Sequence, residues 1–178
     1  MGPQPGTIGL VPIAGNVGKL IRLGQWLAEN PIASWLHRNT EPNLQHAFVL
    51  LDGGRLIEAE PGGARIRDLS EYEGIDVYWC SNIAGEFTPA QLEQAAVKAL
   101  RYEDVPYSFT DYLYLFVHRL HLWFPGLKYL IQRSGHVICS QLADGAYEAA
   151  GLKLFRDGRW SGDVMPMDIY VLDQSLQR

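Results

Sequence analysis

The sequence predicts an α+β domain, a small antiparallel sheet with helices packed on it, and three stretches carry that reading. "LQHAFVLL", Leu44 to Leu51, is apolar on both faces and leads through "DGG" into "RLIEAE", the pattern of a central strand, a turn and a return strand. "TPAQLEQAAVKALRY", from Thr88, has the cap-then-proline opening of a helix. "HVICSQLADGAYEAAG", His136 to Gly151, changes from a β-like run to an alanine-rich helix at Cys139. At 178 residues, 47% of them apolar, the chain has the length and the core material of one domain spanning 1–178.

Taken in order, Thr7 to Ile13 reads as a short strand and Asn16 to Glu29 as a helix, with Val17, Leu20, Ile21, Leu23 and Leu27 mostly on one side. Pro31 and Pro42 bracket a loop or short helical turn. After the hairpin, Ile75 to Cys80 is a third strand candidate. The Thr88 helix follows, then a loop containing Pro106. An aromatic-rich helical insertion is expected at about 110–134. Its main helix, Asp111 to Phe124, should end at Pro125 and Gly126. A final short strand is expected near Asp168 to Leu172.

Composition narrows the classes of function. Fifteen basic residues against twenty acidic ones, a formal charge of −5, supply no broad field for a phosphate backbone, so no nucleic-acid partner is expected. The N-terminal stretch has no Lys or Arg before its apolar residues and is broken by Pro and Gly, so no export signal is expected. The most apolar window, Tyr112 to Ile131, carries His118, Arg119, His121, Pro125 and Lys128 along its length, and no transmembrane segment is expected there. With two cysteines there is no disulfide framework; both should be free thiols in a reducing, cytoplasmic setting.

Cys139 is the residue on which function turns. From it, Leu142, Ala143, Ala146 and Ala150 recur at helical spacing, whereas Asp144 and Glu148 lie elsewhere on the wheel. A cysteine heading a buried stripe is commonly a packing residue. It becomes a nucleophile when unpaired helix-terminal amides favour the thiolate and a base stands beside it. His46, early on an otherwise apolar strand, is the candidate base.

Glu58 and Glu60, on the return strand, are the acids that could orient that base, and the turn decides between them. A two-residue "GG" turn sends both acids to the face opposite His46. A three-residue "DGG" loop sets Phe48 against Glu58 and His46 against Glu60, with both acids on the histidine's face. A five-residue loop would put Glu58 directly opposite His46.

These residues resemble a known family. "HAFVLLDGGRLIEA" looks like the histidine hairpin of NlpC-type papain-like cysteine peptidases, whose third polar residue follows the histidine by twelve positions; that spacing selects Glu58. "VPYSF", Val105 to Phe109, and "ICSQLADGAYEAAG" look like the family's tyrosine loop and Cys-Ser helix. His46 precedes Cys139, the order found in the circularly permuted YiiX/YaeF-like amidases. Thr7 stands where the opening motif commonly has Asp, and Gln45 where a small hydroxyl residue commonly precedes the histidine.

The resemblance implies a permuted papain-like hydrolase that needs no cofactor. Cys139 would be its nucleophile, His46 the general base, Glu58 the residue fixing the imidazole, and Tyr107 a hydroxyl near the developing charge. The implied substrate is a peptide or acyl-amide, from a cell-wall peptidoglycan or an acylated lysine. A lipid-directed thiol acyltransferase or lipase, or an inactive binding module, would use the same fold.

Two other sites compete on the sequence. His118 with His121, and His136 with Cys139, are three apart, but no carboxylate or Cys-x-x-Cys knuckle completes a metal pattern, so no metal is expected. Cys80 is the weaker nucleophile, because "VYWCSNIAG" reads as a strand end running into a loop with no helix beneath the sulfur.

Overall fold

A computed structural model describes residues 2–12, 44–60, 62–107 and 137–177. The expected Asn16–Glu29 helix, the Pro31–Pro42 connection, the aromatic segment with its insertion at about 110–134, and His118, His121 and His136 lie outside the described residues.

The described chain is α+β, built on a five-stranded antiparallel sheet. Its strands are β1 (Ile8–Val11), β2 (His46–Leu50), β3 (Arg55–Glu60), β4 (Gly63–Asp68) and β5 (Tyr78–Trp79), in the order β4-β3-β2-β1-β5. The strand that is apolar on both faces, β2, is the middle one, as a strand covered on both sides should be.

Alternation along the strands separates two apolar layers. Ile8 and Leu10 of β1, Ala47 and Val49 of β2, and Ile57 and Ala59 of β3 face the helices. Val11, Phe48 and Leu56 face the other way, under Leu69, Tyr72, Val77 and Trp79. Leu44 joins the helix-side layer with Ala47 rather than the Phe48 layer, so the alternation of faces breaks down where the chain enters β2.

The turn takes the three-residue form. "DGG" is a tight 3-10 turn with Gly53 and Gly54 at φ 69° and 72°, a conformation that costs other residues strain. The Leu51 amide donates to the Arg55 carbonyl at 2.8 Å, and Phe48 lies opposite Glu58.

β4 has no counterpart in the sequence reading. It pairs with β3 from Arg55↔Asp68 to Glu60↔Gly63, and its signal is charge: Arg65 and Arg67 oppose Glu58 and Leu56 on the strand rich in glutamate. β5 is shorter than the expected strand because its pairing with β1 covers only Tyr78 and Trp79.

Four helices are described: α1 (Ser81–Gly85), α2 (Pro89–Ala99), α3 (Cys139–Ala149) and α4 (Pro166–Ser175). α2 opens as the sequence predicts, with a reciprocal Thr88–Gln91 capping box and Pro89 in the first turn. It packs Leu92, Ala95, Ala96 and Ala99 into the core with Leu142, Ala143 and Ala146 of α3. The small alanines let both helices approach the sheet closely. At the end of α3, the Tyr147 hydroxyl donates to the Gly6 carbonyl at 2.7 Å and ties the helix to the start of β1. Asp144 is also buried, so α3 is covered on a wider arc than its apolar stripe suggests.

The expected strand near Asp168 to Leu172 is instead part of α4. Pro166 occupies its first turn, and the Asp168 carboxylate accepts from the Met165 amide at 2.8 Å. Exposure has helical period: Ile169 and Asp173, four apart, are buried, while Val171 is 53% exposed. In a strand these three would share a face. Ile169 and Val171 are β-branched and favour a strand, but the capping residues and tertiary packing prevail. Among the described residues no helix is long and apolar enough to cross a membrane.

Asp173 joins distant parts of the fold. From α4 its carboxylate accepts the Ile83 amide of α1 at 2.8 Å, the Asn82 side chain at 3.0 Å and the Tyr78 hydroxyl at 2.7 Å. It thereby caps a helix that is too short to hold itself. Asp173→Ala leaves the buried Ile83 amide unpaired and should cost about 2–3 kcal/mol in urea unfolding; a change below about 0.5 kcal/mol would mean that the cap is not structural.

Candidate active site

β2 begins at His46, and its side chain is almost fully buried. Its Nε2 lies 2.6 Å from Oε2 of Glu58, which is 1% exposed. Glu58 faces Phe48 across the ladder, so it reaches His46 along the diagonal, two residues from its direct partner. The DGG loop therefore puts both acids on the histidine's face, and contact selects one of them. Glu60 turns to Arg67 instead, at 2.6 Å.

Cys139 opens α3 and is 2% exposed. Its thiol is in hydrogen-bonding contact with the His46 imidazole. Ile138, at the N-cap, offers no side-chain cap to the first amides of α3. The next residue, Ser140, is buried and donates to the Val164 carbonyl at 2.6 Å, which anchors the first turn of the helix.

Two residues that the sequence reading missed complete the surroundings of the acid. The Tyr72 hydroxyl donates to Glu58 Oε2 at 2.5 Å. Arg67 places Nε 3.1 Å from Glu58 Oε1, and it also pairs with Glu60 and Glu71. The "EAE" and "RIR" stretches on neighbouring strands carried a signal for Arg67. Nothing local marked Tyr72, which lies in a 3-10 turn beyond β4.

Electrostatics follow from these contacts. Burial alone would push the His46 imidazole down, but the charge of Cys139, the hydrogen bond to it and the Glu58 contact outweigh burial and push it up to about 10. Burial alone would push the Glu58 carboxyl up; His46, Tyr72 and Arg67 together hold it below its ordinary range. At neutral pH the geometry thus favours an imidazolium between a carboxylate and the sulfur.

Oxygen and nitrogen ligand atoms of His46, Glu58 and Glu60 lie within 4.8 Å of one another, a spacing that could hold a cation. The Arg67 guanidinium pairs with both carboxylates there.

Tyr107 is half-buried and forms a parallel bridge with Val137, two residues before Cys139. That sets its backbone beside the approach to the cysteine helix.

Cys80 is fully buried and sits at the N-cap of α1, so the expectation of a loop with no helix beneath the sulfur is corrected. "SNIAG" was too short to announce a helix and is one because Asp173 caps it. Burial and then the nearby Asp173 carboxylate push the Cys80 thiol well up, so it stays protonated.

Family models, curated proteins and solved structures contain no match to this chain.

The two shifts give opposite limbs of stability against pH. The raised His46 contributes stability that is complete below its ordinary 6.5 and fades as pH rises towards about 10. The lowered Glu58 contributes stability present above its ordinary 4.5 and lost as pH falls through its depressed value. Glu58→Gln should therefore cost about 3 kcal/mol near neutral pH, and the loss should shrink as pH falls below 4.5 and the native carboxyl takes up its proton. Thermal unfolding across this range checks it: an equal loss at both ends would show that the carboxylate charge contributes nothing.

Proposed function

We propose that this chain is a thiol-dependent hydrolase that cleaves an amide bond through an acyl-enzyme on Cys139, on a circularly permuted NlpC-type papain-like fold. One observation carries the reading: a buried imidazole is held by a carboxylate at Nε2 and lies beside a helix-opening cysteine. The chain order of histidine, acid and cysteine, on an antiparallel sheet with the cysteine helix packed against it, supports the permuted arrangement.

In this reading Cys139 attacks the carbonyl as a thiolate while His46 holds the proton taken from sulfur. The tetrahedral oxyanion forms near the first amides of α3, with the Cys139 amide as one donor. Imidazolium then protonates the leaving amine, the C–N bond breaks and a thioester remains. Water attacks the thioester with His46 accepting its proton, and the carboxylic acid leaves as the thiol is restored. Glu58 keeps the ring oriented throughout. Tyr107 is assigned a hydroxyl contact with the substrate. The amide belongs to a peptide, as in peptidoglycan, or to an acylated lysine.

Iodoacetamide labelling followed by peptide mapping tests the reading. Cys139 should label well ahead of Cys80, and His46→Ala should slow it while Cys80→Ser leaves it unchanged. Against a panel of acyl-peptides, peptidoglycan fragments and lipids, mass measurement should find an acyl adduct on Cys139 with an amide. Cys139→Ser should abolish turnover and His46→Ala should lower it about 10²- to 10⁴-fold. Adducts formed by lipid esters alone would move the reading to a lipid acyltransferase or lipase. Preferential labelling at Cys80, or slow and equal labelling at both, would make Cys139 a packing residue.

A further inference from the structure

We propose that Tyr72 is a positioning residue of this site: seated on Phe48, it brings its phenol to the Glu58 oxygen that holds His46, and so sets how tightly His46 keeps its proton. The consequence for turnover rests on the thiol-hydrolase reading, whereas the effect on His46 does not.

The seat is built from the sheet upward. Gly9 lies opposite Phe48 on neighbouring strands, and a Cβ at Gly9 would come within 2.2 Å of the Phe48 ring. Only glycine therefore lets that ring fold flat across β1. The edge of the Phe48–Trp79 pair, with centroids 5.5 Å apart and planes at 87°, fixes the ring from one side. Tyr72 stacks on it at 5.3 Å and 22°. The turn carrying Tyr72 is itself held, because the Asp68 carboxylate accepts from the Ser70 amide at 2.9 Å. A ring fixed in this way can aim its hydroxyl at one atom.

That atom is shared. Glu58 Oε2 takes the Tyr72 hydroxyl at 2.5 Å and His46 Nε2 at 2.6 Å, while the Arg67 guanidinium faces Oε1. Two donors on one oxygen divide its negative charge, so each weakens the hold of the other. Burial pushes the Tyr72 phenol up, so it remains a donor. Without it, Oε2 becomes a stronger acceptor for the imidazolium, which keeps its proton more tightly. A general acid that must release its proton to a leaving amine works less well in that state.

The sign of the effect separates this role from plain packing. Loosening Glu58 would weaken its bond to His46 and move the imidazole titration down; losing the competing phenol moves it up. Tyr72→Phe keeps the stacked ring and removes only the hydroxyl. Nitrogen-15 resonances of His46, followed with pH in the full chain, should titrate about one pH unit higher in Tyr72→Phe than in the native protein. Phe48→Leu, which removes the seat and keeps the phenol, should move them the same way by less. Tyr78→Phe, which removes a phenol from Asp173, should leave them unmoved. A His46 titration that is unchanged or lower in Tyr72→Phe overturns the proposal. Parallel iodoacetamide labelling of native protein separates the two readings: if Cys139 labels no faster than Cys80 while the titration rises as expected, the hydrolase reading falls and the role of Tyr72 stands.

Discussion

A carboxylate buried at 1% exposure, Glu58, is the constraint around which the described part of this protein is organised. A buried anion is costly in a medium of low dielectric unless every lone pair finds a donor. Three elements compensate it: the imidazole from β2 and the phenol from the turn beyond β4 by hydrogen bonds, and the guanidinium from β4 by its charge. The register of three strands and the course of the following turn are thus tied to one side chain. With any one-residue slip, Glu58 would face the apolar helix layer, where Ile57 and Ala59 now sit.

The same arrangement connects the two faces of the sheet. The acid and its donors lie on the side of Phe48 and Leu56, while Cys139 opens a helix packed in the opposite layer with Ala47 and Val49. His46 lies at the first residue of β2, where the chain enters the sheet and the simple alternation of faces breaks down. From that position its ring meets the acid and the thiol at once. A histidine in the middle of the strand would have to choose one face.

The two cysteines show how little a shared motif specifies. Both precede serine, both are buried, and both stand at the opening of a helix. One faces an imidazole; the other has the Asp173 carboxylate nearby, which opposes ionisation. Similar local sequence thus yields opposite electrostatics, and the difference lies in residues more than ninety positions away in each case.

Sequence by itself determined what depends on neighbours along the chain. The α+β class followed from strand and helix periodicities and the α2 opening from Thr88 and Pro89, whereas the face shared by His46, Glu58 and Glu60 waited on the turn, whose two glycines adopt positive φ in the structure. Tertiary structure decided what depends on competition between distant groups. Glu58 rather than Glu60 meets His46 because Arg67, on a strand that periodicity did not reveal, draws Glu60 away. "DIYVL" is helical because Ile169 and Asp173 must bury one face together, and α1 exists because Asp173 caps it. Backbone propensities differ by only about 1 kcal/mol per residue, so a buried charge that must be satisfied outweighs them.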